Sequence, residues 1–147
     1  MDLSEPIAPL CVYTIAHSDR LNFFYNLGGR GELTEGKRWV RAATLLKAAG
    51  DFRLRFLVLF AGAERPRELI YYAELDSIRL PNSPGDGGHT EYSFSRLTPF
   101  KKPHPLKTSL INDVTQKPIP SGYIRPYLIC RTPASLLIRD PFAGLGG

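Results

Sequence analysis

Glu74 and Asp76 stand two residues apart. In an extended strand that spacing puts both carboxyls on one face, as general acid–base work requires. A salt bridge to an arginine accounts for the pair equally well. His17, Ser18 and Asp19 supply the residue types of a hydrolytic triad, but a triad is defined by geometry and not by adjacency in sequence. His17, His89 and His104 are far apart, and none stands at ligand spacing from Cys11 or Cys130. No metal site and no cofactor are therefore expected. The run Gly28–Gly31 (GGRG) lacks the lysine and the spacing of a phosphate-binding loop, and reads as a turn or a lid.

Binding chemistry is better represented than catalytic chemistry. Arg125 interrupts the apolar run SGYIRPYLICRTP, residues Ser121–Pro133. A guanidinium among apolar residues must find an acceptor, because burying it alone is very costly. That acceptor is a phosphate or a base edge, a carboxylate such as Glu74 or Asp76, or a backbone carbonyl; the sequence leaves all of these open. Lys101, Lys102 and Lys107 cluster with His104, as a phosphate-contacting surface or as a solvated loop. Tyr71 and Tyr72 are adjacent, so one is expected in the core and the other in a pocket. Tyr92 and Phe94 share a face, as a stacking platform or as core, with core favoured for Phe94.

These side chains need elements to position them. Leu10–Ile15 (LCVYTI) reads as a strand. Glycines 28, 29, 31 and 36 mark the following stretch as loop, with a short helical turn over Leu21–Leu27. Lys37–Ala49 repeats apolar residues at helical spacing, with Thr34 as N-cap and Gly50 as C-cap. Phe52–Ala63 begins alternating and becomes continuously apolar, as a strand buried on both faces does. Arg65–Arg67 is expected as a turn, Leu69–Leu80 as a strand bulged midway, and 81–90 as a loop. Glu91–Leu97 is then a strand pairing antiparallel with its predecessor. Lys101–Pro120 carries four prolines and reads as mostly irregular.

Composition sets the class. With 147 residues, 43% hydrophobic and 22% charged, the chain fits one soluble domain. No apolar run approaches the roughly 20 residues of a membrane helix, and no basic leader opens the sequence. A cytoplasmic protein with no membrane partner is expected, its two cysteines packed as small hydrophobes. The net charge of +5 is unevenly spread: eleven basic and twelve acidic residues up to Glu91, then eight basic residues against Asp113 alone from Tyr92 to Arg139. Such asymmetry points toward a polyanionic partner, DNA or RNA.

The helix with Trp39, followed by LVLFAGA, IYYAELDSI, YSFSRLTP and YIRPYLICRTP, resembles bacterial proteins of the PUA-like superfamily, near the EVE, ASCH and YTH domains. The resemblance covers about residues 37–133 of a single domain spanning 1–147, with 134–147 as a tail. It implies an α+β fold, a small twisted, mostly antiparallel β-barrel with flanking helices. It also implies a concave pocket that holds one flipped or modified nucleobase without chemistry. On that reading Trp39, Tyr72 and Tyr92 stack on the base, Arg125 takes a phosphate or base edge, and Lys101, Lys102 and Lys107 meet the backbone. Two other classes stay open: a small hydrolase or nuclease using Glu74 and Asp76, as some ASCH-type relatives suggest, and a protein-interaction module in a defence or regulatory system. The final LLIRDPFAGLGG is similar to the strand and turn that open the cofactor site of S-adenosylmethionine-dependent DNA methyltransferases. That motif needs a further helix and more strands to hold the cofactor, so a chance likeness or a flexible tail is expected.

Overall fold

The computed structural model describes residues 5–81, 89–105, 111–119, 127–137 and 141–142. They form six strands and two helices: β1 (Leu10–Ala16), α1 (Ser18–Asn26), β2 (Gly31–Glu35), α2 (Val40–Asp51), β3 (Leu57–Gly62), β4 (Arg65–Arg79), β5 (Thr90–Pro105) and β6 (Leu128–Arg131), followed by a 3₁₀ turn at Ala134–Leu136. The strands make one mixed sheet in the order β2-β5-β4-β3-β1-β6. β1 and β3 run parallel, and every other neighbouring pair is antiparallel.

β3 is the centre, and it is buried along its whole length because both faces of the sheet are covered. Its residues alternate between two cores. Phe56, Val58 and Phe60 join Val12, Tyr71, Ala73, Tyr92 and Phe94 on the face that carries Leu21 of α1 and Ala42 and Ala49 of α2. Leu57, Leu59 and Ala61 join Cys11, Tyr13, Tyr72 and Cys130 on the other face, under Ile119, Leu136 and Phe142. Part of the segment expected as a tail is thus packed against the sheet. Cys11 and Cys130 face each other across the β1–β6 ladder as free, buried thiols. Burial pushes the Cys11 thiol up to about 12 and raises that of Cys130 as well.

The expected closed barrel is not formed: β2 and β6 are the two ends of the sheet. The sheet is nevertheless strongly curled. Across a flat sheet β1 and β2 would lie four strand spacings apart, about 19 Å. Yet Thr14 of β1 donates from Oγ1 to Glu35 Oε2 of β2 at 3.4 Å. Thr14 shares a face with Val12, and Glu35 with Leu33, so this contact identifies the helix-bearing face as the concave one. Bulges account for the bend. The β4–β5 ladder shifts register three times and the β3–β4 ladder twice. At one β5 bulge Arg96 takes φ 56°. There the Leu97 N–H donates outside the ladder, to Gly29 O at 3.0 Å.

Several boundaries differ from expectation for identifiable reasons. The glycine-rich stretch holds β2, because Gly31 serves a strand: a Cβ there would sit 2.7 Å from the Phe24 ring lying on it. Gly29 is required twice over, by φ 83° and by the Leu97 nitrogen 3.1 Å from where a Cβ would be. Helix α2 begins at Val40 and is capped from a distance: buried Thr90 accepts from Trp39 N at 2.8 Å and donates to Lys37 O at 2.6 Å, while Thr34 lies in β2. The helix passes Gly50 to Asp51 and stops where Arg53 adopts φ 56°. Phe52–Leu54 therefore turns out of the helix rather than starting a strand. The hairpin turn lies at Ala63–Glu64, so Arg65–Arg67 belongs to β4. Lys101–Pro105 extends β5. Among the described residues no helix is long and apolar enough to cross a membrane.

Candidate binding cleft between β1, α1 and β2

The curl leaves an opening on the concave side where β1, the start of α1 and β2 converge. It is a cleft of about 320 Å³, with Ala16 and Leu33 as apolar wall and Tyr92 beneath; Ile15 also borders it but packs with the convex core. His17 and Arg20 from the β1–α1 junction and Glu32 and Glu35 from β2 border it. Glu35 points inward to Thr14, whereas Glu32 pairs in register with Ser93 and so faces outward at the rim. Burial pushes the Tyr92 phenol well above its usual range, and the Glu35 carboxylate adds to this, so Tyr92 keeps its proton. A second hollow of about 290 Å³ shares Glu32 and Tyr92 and continues past β2 to Ser77, Ser93, Arg79 and Glu91. There Arg79 Nη2 donates to both Glu91 oxygens, at 2.6 and 2.8 Å.

Two of the sequence-selected residues meet below this cleft. Trp39 is 0% exposed. It stacks on Tyr92 with ring centroids 4.4 Å apart and on Tyr127 at 5.3 Å. Its rings therefore build the floor of the concave side out of protein, with Tyr92 as the member that borders open space. Tyr72 is on the opposite, convex face, where its hydroxyl donates to Pro141 O at 2.7 Å and its ring meets Phe100 and Phe142. Tyr71 is the concave tyrosine, donating to Asn22 Oδ1 at 2.6 Å. Phe94 is core. Lys101 and Lys102 are exposed toward the other end of β5, about 30 Å of extended chain from Tyr92. Arg125 and Lys107 lie outside the described residues, as does the side chain of His104.

Among the described residues, the arginine buried among apolar residues is Arg55. Its side chain is 2% exposed, and Nε donates to Glu74 Oε1 at 2.7 Å. Phe142 covers the guanidinium, with its ring centroid 4.9 Å from Cζ. Glu74 is thereby committed to an ion pair on the convex side. Asp76 is more open and accepts from Ser95 Oγ at 3.1 Å; partial burial raises its carboxyl, with the Glu74 charge adding and Arg30 and Arg96 opposing. The pair expected for acid–base chemistry has one member held by a buried guanidinium, and only Asp76 faces water. Among the described residues no group of three or more histidines, cysteines or acids is placed to hold a metal ion.

Arg20, Glu32 and Glu35 escaped selection on sequence, and His17 stands out there only as a triad member or metal ligand. The available signal was the alternation in GELTE, which the flanking glycines masked. Compared with protein-family models, curated proteins and solved structures, the chain matches none.

Proposed function

We propose that this chain is a nucleic-acid-binding module of PUA-like architecture that admits one nucleobase to the cleft between β1, α1 and β2. The observation that carries the reading is the cleft itself: an opening in a curled sheet, mixed in character, beside a floor of stacked rings. Its volume lies at the lower end of the range for ligand sites, about 300–1,000 Å³, which suits a single flat group. Glu35 can accept from a base's exocyclic amine, while Arg20 and His17 can donate to its ring nitrogens or carbonyls. Ala16 and Leu33 supply apolar contact. Removing a base from its stack costs a few kcal/mol, which edge hydrogen bonds and apolar contact together offset. The basic excess after Tyr92 attracts the backbone wherever the strand leaves the cleft.

A titration of labelled single- and double-stranded oligonucleotides, DNA and RNA, at two salt concentrations tests this. Binding should weaken steeply with salt, and Glu35→Gln should reduce it about tenfold, the equivalent of one misdirected edge contact. An enzyme would instead release product. Salt-insensitive binding, or no binding at either concentration, would refute the proposal and favour a protein-interaction role.

A further inference from the structure

The residues that border the cleft do not all point into it. Ile15 packs with the convex core, and Glu32 and Thr34 alternate with Leu33 and Glu35, whose side chains take the concave face. What Ile15, Glu32 and Thr34 present to the opening is therefore main chain.

The bonds at the strand ends show which way that main chain turns. Along a strand the N–H and C=O groups of successive residues face opposite sides. In β1, Pro9 O accepts from Thr132 N on the β6 side, while Ala16 O accepts from Ala63 N on the β3 side. Thr14 and Ala16 thus bond toward β3, and Cys11, Tyr13 and Ile15 turn the other way. The β6 ladder ends at the Tyr13–Leu128 pair, so the Ile15 N–H and C=O point past its end into the seam. In β2 the alternation starts from Gly29, whose C=O accepts from Leu97 N of β5. Gly31, Leu33 and Glu35 accordingly face β5, and Glu32 and Thr34 face away from it. Among the described residues no strand pairs with this side of β2.

The cleft is thus a seam between two free strand edges, and the edges differ in length. β2 brings Glu32 and Thr34 to it, whereas β1 brings Ile15: Tyr13 pairs with Leu128, and the His17 C=O accepts from Leu21 N in the first turn of α1. A free edge is a template for hydrogen bonding, and an extended peptide is its usual occupant. Here such a strand would find a single rung on β1. The N–H and C=O of one residue are instead matched by one flat group that carries an acceptor next to a donor. Adenine and cytosine offer this on the Watson–Crick edge, as a ring nitrogen beside an amine. The amine has a second proton, and the inward-facing Glu35 carboxylate stands at the seam to accept it.

We infer that main chain reads the base in the cleft. The Ile15 N–H donates to the ring nitrogen, the Ile15 C=O accepts one amine proton, and Glu35 accepts the other. The ligand is then an unpaired adenine or cytosine. Uracil and thymine lack the amine, and guanine sets an N–H rather than an acceptor beside its amine on that edge. The inference rests on the cleft reading and can fail without it.

Fluorescence anisotropy with labelled single-stranded hexanucleotides tests the edge, and amide hydrogen exchange followed by NMR tests the main chain. An adenine strand should bind about tenfold more tightly than a uracil strand or one of 1-deazaadenine, which lacks the ring acceptor. A 7-deazaadenine strand, altered on another edge, should match adenine. Saturation with the adenine strand should slow exchange of the Ile15 amide at least tenfold. Ile15→Val should leave affinity unchanged, because that side chain points away from the seam. Equal affinity for 1-deazaadenine, or unchanged exchange at Ile15, would overturn main-chain reading, and the cleft proposal would stand if Glu35→Gln still weakened binding. Failure of every strand to bind would overturn both. Displacement of the adenine strand by a hexapeptide of alternating valine and threonine, with slowed exchange at Glu32 and Thr34, would assign the seam to a peptide instead.

Discussion

Two groups of charged residues lie on opposite sides of one sheet. On the convex side Arg55 and Glu74 are sealed beneath Phe142, with side-chain exposures of 2% and 10%. On the concave side Arg20 and Glu35 border open space; the Arg20 guanidinium lies over the Phe24 ring at 5.6 Å and Glu35 accepts from Thr14. The chemistry is similar: arginine and glutamate on or beside strands. The surroundings assign the roles. A buried pair has already exchanged water for its partner, and it holds the segment just before β3 to β4. The groups at the cleft keep their water and can exchange it for a ligand. The contrast separates residues that maintain the fold from residues free to bind.

The largest effect should come from splitting the sealed pair. Arg55→Ala leaves Glu74 buried without its guanidinium and should destabilise the protein by about 3–5 kcal/mol. A combined Arg55→Met and Glu74→Leu exchange should restore most of that loss, since an apolar pair of similar volume removes the desolvation penalty. Urea denaturation of the three proteins tests this. If Arg55→Ala melts like the wild type, the convex pair is not the structural element described above.

Trp39 tests where floor ends and cleft begins. Its indole is wholly enclosed, stacked on Tyr92 and Tyr127. Trp39→Ala should therefore cost about 3–5 kcal/mol of stability through the cavity it leaves. Glu32→Gln and Glu35→Gln should change stability by no more than about 0.5 kcal/mol, because both sit at the wet edge. Should Trp39→Ala fold normally and fail only in binding, the indole belongs to the ligand site and the boundary drawn here is misplaced.

How far these roles could be read in advance differs between fold and site. Strands β1 and β4, the midway bulges of β4 and the antiparallel β4–β5 pairing follow from residue pattern, because alternation and β-branched runs report burial directly. The two tyrosines at 71 and 72 do point to opposite cores. Long-range closure left no such trace. Nothing near Trp39 announces that Thr90, 51 residues away, caps its helix, and nothing near Arg55 names Glu74 as its partner. The curl comes from bulges distributed over two ladders, so the meeting of Thr14 with Glu35 is a sum of local bends that no single motif encodes. Of the residues selected on sequence, Tyr92 borders the cleft, and its strand and face were both legible. Arg20, Glu32 and Glu35 become neighbours only after the sheet has curled.

The smallest effect concerns the junction that presents His17 and Arg20. Helix α1 has no side-chain cap of its own, and the Ser18 N–H instead meets both oxygens of Glu64, at 3.4 Å, from the β3–β4 turn. Hydrogen bonds, first from its own backbone N–H and then from Ser18, hold the Glu64 carboxyl below its ordinary value of 4.5. The sign follows: the folded state favours ionised Glu64, so its contribution is complete above 4.5 and is lost as pH falls through the lower folded-state value. Glu64→Gln cannot ionise. Its melting temperature should lie below that of the wild type at neutral pH, by no more than about 2 °C for so exposed a group. The two curves should converge once the pH falls below the folded-state value. A difference that persists unchanged into acid would mean that the amide caps α1 differently rather than that charge at the helix terminus matters, and the cleft's entrance would then owe its position to packing alone.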